Sequence, residues 1–429
     1  MGTTPADPKR RHALGLLALG VLVATACSAP TPDTSGGEEP QPQPQETAAP
    51  QPAVRITPED GASDVRPDLP VVVEAEQGTL TDVRVTTAGQ EDTGADEMTG
   101  SFNDDETEWT SDWTLVPGAD ITVTATAETD DGERNEVTHA FSTLAATEGR
   151  RLELRSNFPT SGQTVGVGMP VIIDFDLPVE NKARVESAME VLSEEPVQGA
   201  WNWFGDQTAV FRPEEYWQPY QDVTVNLRLA GVQASEGVYG VENHRLEFSV
   251  GRSQVSTIDS DTKRMTVERD GEQIQDFPTS IGKADVERYT TTSGVHLTME
   301  KYEELVMDSS TVGVPVDDPE GYEIEVEYAV RFSNSGEFTH AAPWNDQLGE
   351  ANLSHGCPNL STADAQWFYE NSFLGDPLVV TGTDRELEVD NGWGYWQRSW
   401  DTWLAESATG TADDTGEPGT PGSPHGETD

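Results

Sequence analysis

Cys357 stands in the run Ser354-His355-Gly356-Cys357-Pro358-Asn359, and thirteen residues separate Ser354 from His340 upstream. An isolated cysteine thiol ionises near pH 8.5, so only a fraction is nucleophilic thiolate at neutral pH. An imidazole within hydrogen-bond reach takes that proton, or pairs with the thiolate, and makes a strong nucleophile for acyl transfer. Two histidines and one thiol within eighteen residues can supply this. Gly356 permits a tight turn, the backbone N–H groups from Gly356 to Cys357 are candidate oxyanion donors, and a helix N-terminus close by would favour the thiolate. Three other readings fit the same residues: a zinc site, satisfied core histidines, and a buried inert cysteine. Structural zinc asks for four ligands, and no second cysteine stands nearby. Polar Ser, His and Asn flanking Cys357 weigh against an inert core thiol. On residue chemistry the first choice is a cysteine acyl-transfer enzyme.

The elements that must carry these residues read as mostly β. From about 252, short alternating runs (Met265–Val267, Thr279–Gly282, Ile324–Val330) are divided by turns such as Arg269-Asp270-Gly271. One helix follows the motif, with Ser361-Thr-Ala-Asp364 as a capping box, Trp367 and Phe368 as its apolar face, and Gly375 as its stop. Leu378–Thr381 returns as a strand. Upstream, Pro58-Glu-Asp-Gly61…Val65…Pro70-Val-Val-Val recurs as Pro159-Thr-Ser-Gly162…Val165…Pro170-Val-Ile-Ile, an offset of about 100 residues that suits tandem β-sandwiches. Ile121–Ala127 and Val223–Leu229 alternate at period two, and a short helical pattern lies near Lys182–Leu192. Neither unit holds a catalytic cluster, so both read as spacers or docking modules. Trp393, Trp396, Trp400 and Trp403 share one face if their segment is helical, either to stack on glycan or to pin the extension to its neighbours.

The chain has 25 Lys+Arg against 78 Asp+Glu, a formal net charge of −53, which repels phosphate backbones and argues against nucleic-acid binding. Two cysteines in 429 residues rule out a disulfide framework. The second, Cys27, follows Lys9-Arg10-Arg11 and the apolar run Ala13 to Ala24, a signal-peptide pattern too short to span a bilayer. Ala24-Thr25-Ala26-Cys27 resembles a bacterial lipobox, which implies that Cys27 is lipidated and becomes the first mature residue; an ordinary cleaved signal is the alternative. Residues 27–52, rich in Pro, Gln and Thr, read as a disordered tether, and 407–429 read as a disordered tail for the same reason.

With those residues in view, SHGCPN behind the His340 segment HAAPW resembles the signature of the L,D-transpeptidases of bacterial cell walls. The resemblance covers the whole mature chain and includes Val306–Thr311, Gly313–Pro315, Gly321-Tyr322 and Ala365–Tyr369. It implies a mainly β chain: signal peptide 1–26, tether 27–52, immunoglobulin-like domains 53–147 and 148–251, catalytic domain 252–384 with one main helix, Trp-rich extension 385–406 and tail 407–429. It further implies Cys357 as nucleophile, His340 as general base and the Ala341 carbonyl as its orienting partner. Ser354, His355, Gly356 and Asn359 would shape the turn and the oxyanion environment, and Met307 and Tyr322 would belong to a lid over the donor. The implied reaction is acyl transfer from a tetrapeptide stem of peptidoglycan, with loss of D-Ala, to an amine on a second stem, giving a 3→3 cross-link. No metal or organic cofactor is expected. The expected partners are donor and acceptor stems, the membrane through the lipid on Cys27, and carbapenem β-lactams as inhibitors. Two alternatives are a non-enzymatic wall-binding lipoprotein, and a related enzyme that passes the acyl group to water or a protein amine.

Overall fold

The structure is a computed structural model and describes residues 53–89 and 95–427. The signal segment 1–26, Cys27 and the tether 27–52 lie outside the described residues. Among those described, no helix is long and apolar enough to cross a membrane.

The first module is a sandwich of a four-stranded and a three-stranded antiparallel sheet. Its strand Asp120–Glu128 buries every second residue, so Ile121, Val123, Ala125 and Ala127 face a core with Ile56, Trp109 and Phe141. The second module repeats the plan around Phe175, Trp201, Phe211 and Trp217. The sequence repeat marks one structural device in both: Pro58 and Pro159 follow cis peptide bonds. Gly61 N–H donates to Ala140 O at 2.8 Å, and Gly162 N–H to Glu247 O at 2.7 Å. The helical pattern near Lys182–Leu192 proves shorter: a helix covers Lys182–Glu186, and Met189–Ser193 is a strand paired with Gln221–Leu227. β-Branched and sheet-paired neighbours win over local periodicity there.

The third module pairs a five-stranded sheet, with Gln254–Asp259 and Pro377–Thr381 parallel at its centre, and a four-stranded sheet ending in Phe338–Ala341 and Asn359–Leu360. The helix Thr362–Asn371 packs Ala365 and Phe368 into the core between them. Ser361 caps it as expected: its Oγ accepts from Asp364 N–H at 3.2 Å and donates to the Asp364 carboxylate at 2.6 Å. The helix stops at Asn371, four residues before Gly375, because Asn371 and Ser372 side chains take the Trp367 and Phe368 carbonyls.

Close backbone approach joins the second and third modules. Gly166 and Gly168 donate to Leu374 O and Gly375 O, and a Cβ on Gly166 would lie 2.3 Å from Asp376 Oδ1. Beside them Arg252 grips Asp376 through both carboxylate oxygens, at 3.0 and 2.7 Å. The first and second modules meet where Arg228 stacks on Trp113 at 4.5 Å.

At the C-terminus one of two readings of the tryptophans holds, and the disordered tail is corrected. The four tryptophans do not share one helix: Gly394–Gln397 is a single 3-10 turn, and Trp400–Ala405 a separate short helix. Trp403 is fully buried against Ile172, Ala200 and Val210 of the second module, which is the pinning role. The segment read as a disordered tail is ordered as far as it is described, to residue 427. The Glu186 carboxylate accepts from Ser407 Oγ and the N–H groups of Ala408 and Thr409, at 2.8 to 2.9 Å. Asp413–Asp414 adds a strand beside Gln198–Gly199, and Gly419 N–H reaches Glu190 at 2.7 Å. His425 Nε2 then meets Ser111 O at 2.9 Å on the first module, and Gly426 N–H meets Asp68 O at 2.8 Å. Composition misleads here because the strap is held by hydrogen bonds to buried carboxylates, whereas disorder inferred from composition assumes that only apolar burial can offset chain entropy.

Candidate active site

Strand Phe338–Ala341 is buried along its whole length and lies between Glu323–Arg331 and the two-residue strand Asn359–Leu360. Parallel register sets His340 beside Asn359. The imidazole Nδ1 lies 2.8 Å from Ala341 O, which can only accept, so Nδ1 carries the proton and Nε2 keeps its lone pair. Asn359 Nδ2 donates to that Nε2 at 3.2 Å and to Cys357 O at 3.3 Å, while Asn345 Nδ2 holds Asn359 Oδ1 at 3.2 Å.

The Ser354–Cys357 turn is fastened from behind. Thr291, fully buried, donates from Oγ1 to Gly356 O at 2.7 Å and accepts from Gly282 N–H at 2.9 Å. Gly356 has φ +124°, a conformation that needs glycine. Its N–H donates to Ser354 Oγ at 3.1 Å and is therefore spent inside the turn. The Cys357 N–H has no acceptor among the described residues. Of the two donors expected for an oxyanion, the turn leaves one.

The thiol lies at the floor of a cavity of about 440 Å3 lined by Met307, Tyr322, Ile324, His340, Trp344 and Asn359, among others. Part of its surface opens to the cavity, although protein surrounds Sγ on nearly every other side. Its Sγ donates to Gly336 O at 3.6 Å, and the Phe338 backbone N–H hydrogen-bonds the sulfur in turn. Burial pushes the Cys357 thiol up to about 12 and the His340 imidazole down to about 4, so both groups rest neutral. The helix downstream does not produce a resting thiolate, because desolvation outweighs it. Tyr322, raised to about 12 by burial and then by the neighbouring thiol, keeps its hydroxyl proton.

His355 takes another direction. Its Nε2 meets Glu320 Oε2 at 3.1 Å, and its ring lies 4.5 Å from Tyr289 and 5.5 Å from Tyr322. Glu320 also pairs with Lys283 at 3.1 Å. These contacts tie the 309–322 loop, closed at its base by Ser309 N–H to Tyr322 O and Tyr322 N–H to Ser309 Oγ, down beside the cavity. The structure thus brings Cys357, His340, Asn359, Tyr322 and Met307 around one cavity. Ser354 and His355 line the same cavity, Ser354 also accepting from Gly356 N–H and His355 also reaching Glu320 of the loop, while Ala341 serves through its carbonyl. Thr291, Asn345 and Glu320 escaped the sequence reading; each lies in a polar stretch with no periodicity, and nothing local marks it. Among the described residues no three His, Cys, Asp or Glu side chains converge as metal ligands.

The chain is also similar to known proteins. Residues 62–233 match the bacterial Ig domain family, and residues 253–380 match the L,D-transpeptidase catalytic domain family. L,D-transpeptidase 2 of Mycobacterium tuberculosis is 35% identical over 81% of this chain and 83% of its own length. L,D-transpeptidase 5 of the same species is 34% identical over 93% of this chain and 85% of its own. A solved L,D-transpeptidase in complex with imipenem is 32% identical, covers 53% of this chain and 98% of its own, and superposes with a TM-score of 0.47.

Proposed function

This chain belongs to the L,D-transpeptidase family, and we propose that it cross-links peptidoglycan by two acyl transfers through Cys357. The observation that carries the mechanism is the lock of His340 Nδ1–H on the Ala341 carbonyl at 2.8 Å, which reserves Nε2 as the proton acceptor. When a tetrapeptide donor fills the cavity, Nε2 exchanges the Asn359 amide for the thiol proton as Sγ attacks the carbonyl before the terminal D-Ala. The S–C bond forms, the proton rests on His340, and the tetrahedral oxyanion takes hydrogen bonds from Cys357 N–H and the Tyr322 hydroxyl. Collapse breaks the C–N bond; the departing D-Ala amine takes the His340 proton and a thioester remains. A side-chain amine of a second stem then attacks the thioester, gives its proton to Nε2, and leaves a 3→3 amide with the thiol restored. Because neither group rests charged, the proton moves with the attack and no free thiolate waits in the site.

A carbapenem offers the same thiol a strained acyl group with no leaving amine, which supports reading that drug class as an inhibitor. The lipobox-like Ala24-Thr25-Ala26-Cys27 supports a lipid anchor outside the cytoplasm. Alkyne-palmitate labelling should be lost in Cys27→Ser.

The direct test is incubation with disaccharide-tetrapeptide, followed by mass spectrometry. D-Ala release and a cross-linked dimer are expected, both abolished by Cys357→Ala together with the carbapenem adduct. An adduct retained in Cys357→Ala overturns the nucleophile, and D-Ala release without dimer assigns water as the acceptor.

A further inference from the structure

Charge is unevenly shared around the cavity. Met307, Ile324 and Val326 reach it from the hairpin Lys301–Asp308 and Glu323–Arg331, with Tyr322 beside them. Trp344, Asn345, Asp346 and Gln347 reach it from the connection between His340 and the Ser354–Cys357 turn. Among the described residues that line the cavity, Asp346 is the one carboxylate, and no Lys or Arg is present. Two other acids near the site are engaged elsewhere: Glu320 pairs with Lys283 and His355, and Asp308 accepts from Ser310 N–H at 2.7 Å. Asp346 is exposed, and no described side chain pairs with its carboxylate.

Its neighbours fix its place. Asn345 N–H donates to Ala342 O at 3.0 Å, Gln347 N–H to Asn345 Oδ1 at 3.1 Å, and Glu350 N–H to Gln347 O at 3.0 Å. Asn345 also reaches His340 through Asn359, by two contacts of 3.2 Å. The Trp344 ring lies 6.2 Å from the His340 ring, tilted by only 29°. Asp346 therefore stands on the His340 side of the cavity. That side governs the second half of the reaction, because the attacking amine must deliver its proton to Nε2. A side-chain amine arrives at neutral pH as an ammonium, and a carboxylate at the mouth of a partly desolvated cavity attracts it.

We propose that Asp346 selects the acyl acceptor: its carboxylate receives the ammonium of the second stem at the cavity mouth and directs that amine, ahead of uncharged nucleophiles, to the thioester on Cys357. The proposal rests on the cysteine mechanism above. The ammonium gives one proton to water at the mouth. The neutral amine then forms the C–N bond, its second proton passes to Nε2, the C–S bond breaks, and the sulfur takes the proton from Nε2. Asp346 forms no bond in this sequence; it acts on the acceptor through charge alone.

The test divides one thioester between two nucleophiles. The full chain, borohydride-reduced disaccharide-tetrapeptide and hydroxylamine, which is uncharged near pH 8, should give cross-linked dimer and hydroxamate, both read by mass spectrometry. The two products share one acyl-enzyme, so a loss of folded protein cancels in their ratio. Asp346→Asn should lower the ratio of dimer to hydroxamate by about fivefold, the upper worth of an exposed ion pair. Asp346→Lys should lower it further, and Asp346→Glu should keep it. Raising salt from about 0.05 to about 0.5 M should lower the wild-type ratio more than that of Asp346→Asn. An unchanged ratio in Asp346→Asn, an equal fall in Asp346→Glu, or the same salt response in wild type and Asp346→Asn overturns the proposal. Such a failure with D-Ala released and hydroxamate formed sinks only the role of Asp346, whereas neither product nor D-Ala from the wild type sinks the cysteine mechanism.

Discussion

With Nδ1 of His340 committed to the Ala341 carbonyl, the ring can take a proton only at Nε2, and burial lowers the pH at which it does so to about 4. Under the proposed mechanism the base is lost only when it is already charged, so kcat/KM should hold from neutrality down to about pH 5 and fall through about pH 4. A limb near 6.5, the ordinary imidazole value, would mean that the ring is hydrated in the working enzyme. His340→Ala should slow acylation by about 10²- to 10⁴-fold, the usual worth of a general base. Ala341→Ser should be nearly silent in the same assay, since only the carbonyl of that residue is used.

At the scale of elements, the site depends on how tightly its strands and turns are held. Gly282, Thr291 and Gly356 form one such clasp, with no room at Gly282, where a Cβ would lie 1.9 Å from Tyr289 O. The C-terminal extension is another. Trp403 is buried, donates from Nε1 to Ala200 O at 2.9 Å, and returns its own carbonyl to Asn202 Nδ2 at 2.8 Å. Arg212 stacks on its ring at 4.8 Å. Trp403→Ala should lower stability by about 3–5 kcal/mol, the range for a large aromatic truncated in a core, visible as a lower melting temperature. A glycan-stacking strip would lose binding and keep its melting temperature.

At the scale of the whole molecule, the strap 407–427 runs from the catalytic module over the second module to the first. Asp413, buried on it near Glu190 with Oδ2 unpartnered, is held up at about 7 by burial and then by the Glu190 charge. The docked strap therefore binds a proton that the free strap releases near the ordinary carboxylate value. Docking is strongest at low pH and weakens as pH rises toward 7. Limited proteolysis within 407–427 should accelerate from pH 5 to pH 8, and Asp413→Asn should remove that dependence. Net charge acts over the same scale. Glu323 and Glu327 lie directly across from Asp308 and Glu304 on the hairpin that carries Met307 into the cavity, with Glu325 exposed between them. Such pairs repel, and screening shortens from about 8 Å at physiological ionic strength to about 3 Å at 1 M. The melting temperature should rise between 0.15 and 1 M salt; a flat or falling curve refutes the electrostatic account.

The proposed nucleophile and base, Cys357 and His340, could be picked from the sequence because such chemistry lies in residue types at short spacing. Local rules also reached the Ser361 cap, the alternating strand Asp120–Glu128 and the paired turns after Pro58 and Pro159, each specified by neighbours a few residues apart. The protonation state of the thiol was not legible. A helix N-terminus nearby suggested thiolate, and the neutral thiol follows from desolvation, which depends on the strands Lys301–Asp308, Glu323–Arg331 and Phe338–Ala341 packing against Cys357. The same holds for Thr291, brought to the turn across 65 residues of chain. It holds again for the strap, whose partners Glu186 and Glu190 lie more than 220 residues upstream. Residue type and spacing determine which groups can react; desolvation and distant hydrogen-bond partners, created only when the chain folds back on itself, decide in what state those groups wait.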